Sequence, residues 1–138
     1  MVNVAVGLYA TLFVKQDGSL WMTGSTSSTP FSLIPKMILQ SGVVQVEVLH
    51  NQGSIQGIFV LDNNGSVKIL NKQTYNTDKV IIDGGVKSIS GGGRHLLMLM
   101  WDGSVWGVGN NEFGQLGNGQ DRRNNPNFVP FDKPIKIS

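Results

Sequence analysis

Residues 92–119 read "GGRHLLMLMWDGSVWGVGNNEFGQLGNG". The fold turns on whether these glycines cradle a phosphate or let a β-chain reverse. A dinucleotide fingerprint needs G-x-G-x-x-G between a strand and a helix. Gly107 and Gly109 supply the first pair, but position 112 is Glu and the next glycine is Gly114. A P-loop needs Gly-Lys-Ser/Thr, a tripeptide the chain lacks. Gly117, Gly119 and Pro126 weigh against a helix downstream. A β reading remains. "LLMLMW" is an apolar run of strand length, Asp102-Gly103 signals a hairpin, and "SVWGV" returns. The two-residue form of that signal is a type I′ turn, with positive φ at both central residues.

The same pattern recurs upstream. "VAVGLYATLFVKQDGSLWMTG" (4–24) and "VEVLHNQGSIQGIFVLDNNGSVKILN" (46–71) align with "ISGGGRHLLMLMWDGSVWGVG" (89–109). Their first residues, Val4, Val46 and Ile89, lie 42 and 43 positions apart. "DGS" or "NGS" follows in each copy, at 17–19, 64–66 and 102–104. Upstream of each hairpin runs an inner strand, β-branched and alternating in "VNVAV" and "VQVEV". A fourth strand follows a long loop: "LIPKMIL", then "KVIID", then "FVPF" or "PIKIS". Four strands in about 42 residues is the period of a propeller blade. The expected fold is all-β: three propeller blades of four antiparallel strands, a partial β-propeller in one repeat domain. The blades are expected at 1–42, 43–85 and 86–138. Gly107, Gly109, Gly114 and Gly117 then sit where a strand ends and a loop crosses outward, so the glycines serve the fold.

The third copy resembles the repeat of the regulator of chromosome condensation family, a β-propeller repeat. The resemblance rests on Gly92, His95, Asp102, Gly103, Trp106, Gly109, Asn111, Gly114, Gln115, Leu116 and Gly117. Copy one keeps Gly7, Asp17, Gly18, Trp21 and Gly24, but has Ala10 at the histidine position and lacks Gly-Gln-Leu-Gly. Copy two departs further, with Lys68 for Trp, Asn71 for Gly and five residues inserted before its second strand. The resemblance implies a structural hydrogen-bonding role for His95. It also brings two alternative functions, since the family includes nucleotide exchange factors for small GTPases and propeller inhibitors of bacterial enzymes.

Composition sets limits. Eighteen glycines and 40% apolar residues in 138 suit a folded, turn-rich domain. Charged residues are only 14% and the net charge is +2, so no basic stripe for nucleic acid is evident. With no cysteine, thiolate metal sites and cysteine nucleophiles are excluded. Two histidines without matching carboxylates give no metal site, and no cofactor is expected. No G-x-S-x-G elbow occurs, so the chain is not expected to be an enzyme. The opening residues lack a basic signal-peptide n-region, and the longest apolar run (96–101) is too short to span a membrane. The expected setting is the cytoplasm or an intracellular particle.

Loops on a rigid scaffold carry binding residues. Propeller topology places 7–10, 49–57, 91–95 and 110–127 on one face, so Tyr9, His50, Arg94, Phe113, Arg122 and Arg123 are the candidate partner contacts. Trp101, just before the Asp-Gly turn, is the candidate anchor on the opposite face. Trp21 and Trp106 are expected to be buried between blades. The expected function is a non-catalytic protein-interaction or scaffold module with a protein partner. Carbohydrate binding is a further alternative, drawn from the amide-rich loops. Three blades do not close a ring. The ends read as blade boundaries, and self-association or membership of a larger assembly is expected.

Overall fold

Residues 15–19 show how each hairpin is built. In the computed structural model, the Lys15 N–H donates to Ser19 O at 3.0 Å and the Gly18 N–H donates to Lys15 O at 3.0 Å. The same pair of bonds recurs at 62–66 and at 100–104. Only the glycine takes positive φ: 81° at Gly18, 80° at Gly65 and 86° at Gly103. Asp17, Asn64 and Asp102 do not, which corrects the type I′ expectation. The loops have three residues, a tight turn followed by a left-handed glycine that makes the bulge. Asp or Asn before Gly was therefore the right signal for the wrong turn.

The structure describes residues 2–7, 9–25, 32–51, 54–117, 128–129 and 133–138. These form three antiparallel sheets in chain order. The first holds β1 (Asn3–Val6), β2 (Ala10–Val14), β3 (Leu20–Gly24) and β4 (Ser32–Leu39). The second holds β5 (Val43–Asn51), β6 (Ser54–Asp62), β7 (Val67–Leu70) and β8 (Thr77–Ile82). The third holds β9 (Val86–Gly91), β10 (His95–Met100) and β11 (Val105–Asn110), followed by β12 (Phe128–Val129) and β13 (Ile135–Lys136). Both short strands pair with β11, β12 at Gly109 and Asn110, β13 at Trp106 and Gly107. Each sheet is an up-and-down meander, and the described residues contain no helix. Pro35 sits in β4, an outer strand, where its missing N–H costs no ladder bond between central strands.

The apolar residues divide into two layers. One face of the first blade (Ala5, Leu12, Val14, Leu20, Met22) packs on Val46, Val48, Ile58 and Val60 of the second. The other face of the second blade (Leu49, Phe59, Leu61, Val67) packs on Ile89, Leu96, Met98 and Val108 of the third. Strand alternation explains the split, since successive side chains point to opposite faces. The second blade is thus apolar on both faces, and "GIFVLD" reads as a continuous apolar run because of it. Amide side chains lock adjoining inner strands. Asn3 Oδ1 accepts from Val46 N–H at 2.9 Å, and Gln45 Oε1 accepts from Ile89 N–H at 2.9 Å.

The Asp-Gly-Ser-x-Trp phrase has a mechanism. Asp17 Oδ1 accepts from the Ser19 N–H and hydroxyl, and the Trp21 indole N–H donates to Ser19 Oγ at 2.8 Å. Asp102, Ser104 and Trp106 repeat the chain, with an indole bond of 3.2 Å. The serine hydrogen bonds hold both carboxyls below their ordinary pKa. Trp21 and Trp106 occupy equivalent positions but are half-buried, not buried as expected. Trp21 carries the Lys15 ammonium 3.8 Å above its ring, an arrangement that needs an open side.

Candidate interaction surfaces

One end of the sheets gathers most of the sequence-derived candidates. His50 N–H donates to Gly93 O at 2.8 Å, joining the second blade to the third. A Cβ placed on Gly7 would lie 3.1 Å from His50 Nε2, so the His50 ring lies against the first blade. Asn110 N–H donates to Arg94 O at 2.9 Å. Tyr9, His50, Arg94 and Phe113 therefore share one end, linked by contacts across three blades. Their exposures differ. Tyr9 is 70% exposed and Phe113 79%, whereas His50 and Arg94 are half-buried. His50 is thus part of the blade junction, not a free loop side chain. Arg122 and Arg123 lie outside the described residues.

The loop that presents Phe113 is internally braced. Asn110 Oδ1 accepts from the Glu112 N–H at 3.1 Å and from Gln115 Nε2 at 2.6 Å. Buried Asn111 accepts from the Leu116 N–H at 3.0 Å, and the Phe113 N–H donates to Gln115 Oε1 at 3.0 Å. Leu116 is fully buried while Phe113 points outward. Asn-Asn-x-x-Gly-Gln-Leu-Gly thus folds one apolar residue in and holds an aromatic one out. His95 has its own explanation. A Cβ at Gly92 would fall about on the His95 ring, 2.8 Å from Nδ1, so Gly-x-x-His is a packing pair.

At the opposite end lie the three hairpin turns. Trp101 is 71% exposed, with the Lys87 ammonium 5.2 Å from its ring centroid. Between blades two and three a recess of about 210 Å³ is lined by Val44, Asn63, Asn64, Lys87 and Trp101, among others. A neighbouring recess of about 270 Å³ lies between blades one and two. Asp62 borders both. Burial raises its pKa, but the Lys68 ammonium 3.0 Å away and the Ser66 and Asn64 amides outweigh that, so its carboxyl is net lowered. Among the described residues no three His, Asp or Glu side chains converge to hold a metal. No helix there is long and apolar enough to cross a membrane.

Sequence reasoning missed the inter-blade amides Asn3 and Gln45, although an amide stands before the first residue of both copies. The outer strand β4 coincides with the expected "LIPKMIL" segment, and its Leu33 and Ile34 are exposed.

Three successive antiparallel sheets, joined face to face, two of four strands and a third whose fourth position is shared by the short β12 and β13, are blades of a β-propeller. Residues 86–115 and 102–138 each match the regulator of chromosome condensation (RCC1) repeat, so the third blade carries the repeat of that family. No curated protein matches the sequence. Among solved structures the chain is similar to human WBSCR16, at 19% identity and a TM-score of 0.73, over 98% of this chain and 39% of that one. A chain in the structure of Kap60 bound to yeast RCC1 (Prp20) gives 18% identity and 0.73, over 98% and 34%. Prp20p from Saccharomyces cerevisiae, described with its binding to Gsp1p and histones, gives 17% and 0.54, over 98% and 49%. The chain thus spans between a third and a half of the length of these three solved chains.

Proposed function

We propose that this chain is a non-catalytic interaction module that self-associates through the flanks of its blades and offers its loop end to a protein partner. One comparison carries the proposal. Val46 and Val48, on the second blade's face toward the first, are 0% and 7% exposed. Val4 and Val6 occupy the equivalent positions on the first blade and are 47% and 70% exposed. The third blade's far face repeats this, with Leu99 exposed where Leu61 is buried. Apolar strand faces of this kind are stable when covered. Two copies joined head to tail about a two-fold axis would present six blades, within the range at which propellers close.

Light scattering of the full chain at micromolar concentration tests this, with twice 15.0 kDa as the expected mass. A mass of 15.0 kDa with a concentration-independent melt overturns it. Val4→Lys and Leu99→Lys, each at an exposed site, should both give the single-chain mass with an unchanged fold.

The loop end supports the second half of the proposal, since a braced loop holding Phe113 outward, at the same end as exposed Tyr9, gives anchors of low entropic cost. Two of the structural neighbours are described with protein partners, which agrees with that role. Co-purification from the native source should lose the partner on Phe113→Ala with the melting temperature held. Accelerated nucleotide release from a small GTPase would instead favour exchange activity.

A further inference from the structure

Trp101 breaks the pattern of its own repeat. The equivalent residues, Gln16 and Asn63, are both polar amides. The structural duty of the position belongs to the backbone: Asn63 N–H donates to Gly42 O at 3.0 Å, and Trp101 N–H donates to Gly85 O at the same distance. The side chain takes no part in that bond, and the indole stands in solvent. A Gln at 101 would build the same turn. The fold therefore does not account for the indole.

Its surroundings suggest what does. The ring forms one wall of the 210 Å³ recess, and Val44 adds a second exposed apolar surface. Asn63 and Asn64 are exposed on the same rim, and their side-chain amides make no hydrogen bond among the described residues. Among the described residues the Trp101 indole N–H is likewise uncommitted, and Lys87 has only its contact over the ring. The one carboxylate of the recess, Asp62, is already neutralised by Lys68 at 3.0 Å. The site therefore offers a flat aromatic face and a ring of free neutral donors and acceptors, with little unpaired charge. The sister recess between blades one and two shares Asp62, Asn63 and Asn64 with it but has no aromatic wall.

We propose that the Trp101 recess binds a saccharide ring, an activity separate from the blade-flank and loop-end surfaces. The C–H face of a pyranose is apolar and stacks on an indole, while its hydroxyls each donate and accept. Carboxamides match that pairing because each carries an acceptor and two donors. Lys87 adds a third donor to hydroxyl oxygens. A peptide would need a longer groove, and the one charge here outside an ion pair, Lys87, already lies over the indole. Its volume is below the roughly 300–1,000 Å³ of sites that enclose a drug-sized ligand, so it takes one ring of a longer glycan.

The test is a glycan array probed with the full chain presented multivalently, followed by titration of the binding oligosaccharides using tryptophan fluorescence. Binding that falls at least tenfold in Trp101→Gln and several-fold in Asn63→Ala, with Trp101→Phe between wild type and Trp101→Gln, is the expected result. The melting temperature should hold in all three, because the substituted side chains are exposed. Absence of binding across the array overturns the proposal, as does binding that survives Trp101→Gln. Loss of a co-purifying protein, rather than of a glycan, on Trp101→Gln would reassign the indole to a protein interface. Light scattering of the same variants keeps this separate from self-association, which Trp101→Gln should not change.

Discussion

The second and third blades reverse the usual relation between repeat match and burial. The third carries Asp102, Trp106 and Gly109 in their repeat positions, and the second has Asn64, Lys68 and Asn71 there. Yet Phe59 and Leu61 of the second are buried, whereas their equivalents Leu97 and Leu99 are half-buried and exposed. The recurring letters therefore govern turns and the braced loop. Burial is set by neighbours, and the second blade has one on each face. It also replaces the lost turn chemistry. Asp62 Oδ1 accepts from the Asn64 and Ser66 N–H groups, and its other oxygen pairs with Lys68, the residue that stands in place of Trp.

The largest expected effect tests this contrast directly. Phe59→Ala empties a fully buried site and should cost about 3–5 kcal/mol in urea unfolding. Leu97→Ala, at the equivalent position on a half-covered face, should cost about 1–2 kcal/mol, because less apolar area leaves water there. Similar midpoints for the two variants would mean that burial does not follow the neighbours.

A somewhat smaller effect sharpens the turn side of the comparison. Gly109 has φ 105°, and a Cβ there would sit 2.5 Å from Arg94 O. Gly24 is its counterpart, at φ 89° and 3.0 Å from Ala10 Cα. Asn71 fills this position in the second blade without positive φ; its side chain caps the Gln73 and Thr74 N–H groups, and the left-handed residue becomes Tyr75, at φ 61°. Gly109→Ala and Gly24→Ala should each cost on the order of 3 kcal/mol, from strain plus backbone collision. Asn71→Gly should cost only about 1 kcal/mol. A mild Gly109→Ala would show that the third blade has freedom to shift at that crossing.

These positions also show what could be seen in the sequence. Three recurring turns, a strand on either side of each, and inner strands starting 42 and 43 residues apart were enough for the sheets. The turn type was not, because Asn-Gly and Asp-Gly serve both two-residue and three-residue loops, and the choice depends on which flanking residues pair. His50 looked solvated because its contact, Gly7, lies 43 residues away. Half-buried Trp21 and Trp106 could not be told from buried ones, since Trp21 is capped by Lys15 of its own blade and Trp106 packs on the cluster between blades two and three. Of the loop-end candidates, Tyr9 and Phe113 were legible as exposed aromatics. The recess beside Trp101 was not, because Asn63, Asn64 and Lys87 come together only when blades two and three dock.

The smallest effect is electrostatic and separates the blade junction from the turns. Glu47 lies on the second blade facing the third, where Gly91 makes room for its carboxylate. Burial there raises its pKa from 4.5, against the opposing pull of the Gly91 amide and Gln45. Asp17, Asp62 and Asp102, all in turns, are lowered from 3.8. A lowered carboxyl contributes stability that is present above its unfolded value and is lost as pH falls through the folded value. The three aspartates therefore weaken the hairpins below about pH 4. A raised carboxyl does the reverse. The contribution of Glu47 is complete below 4.5 and is lost as pH rises through its folded value. Urea midpoints measured from about pH 3 to about pH 7 should thus rise with pH on the acid side and then decline slightly. Glu47→Gln keeps the shape without the charge, so it should remove the decline and leave the acid limb intact. Asp102→Asn should do the opposite, flattening part of the acid limb alone. If Glu47→Gln left the profile unchanged, the second and third blades would not hold that carboxyl out of water, and their junction would be looser than its packing implies.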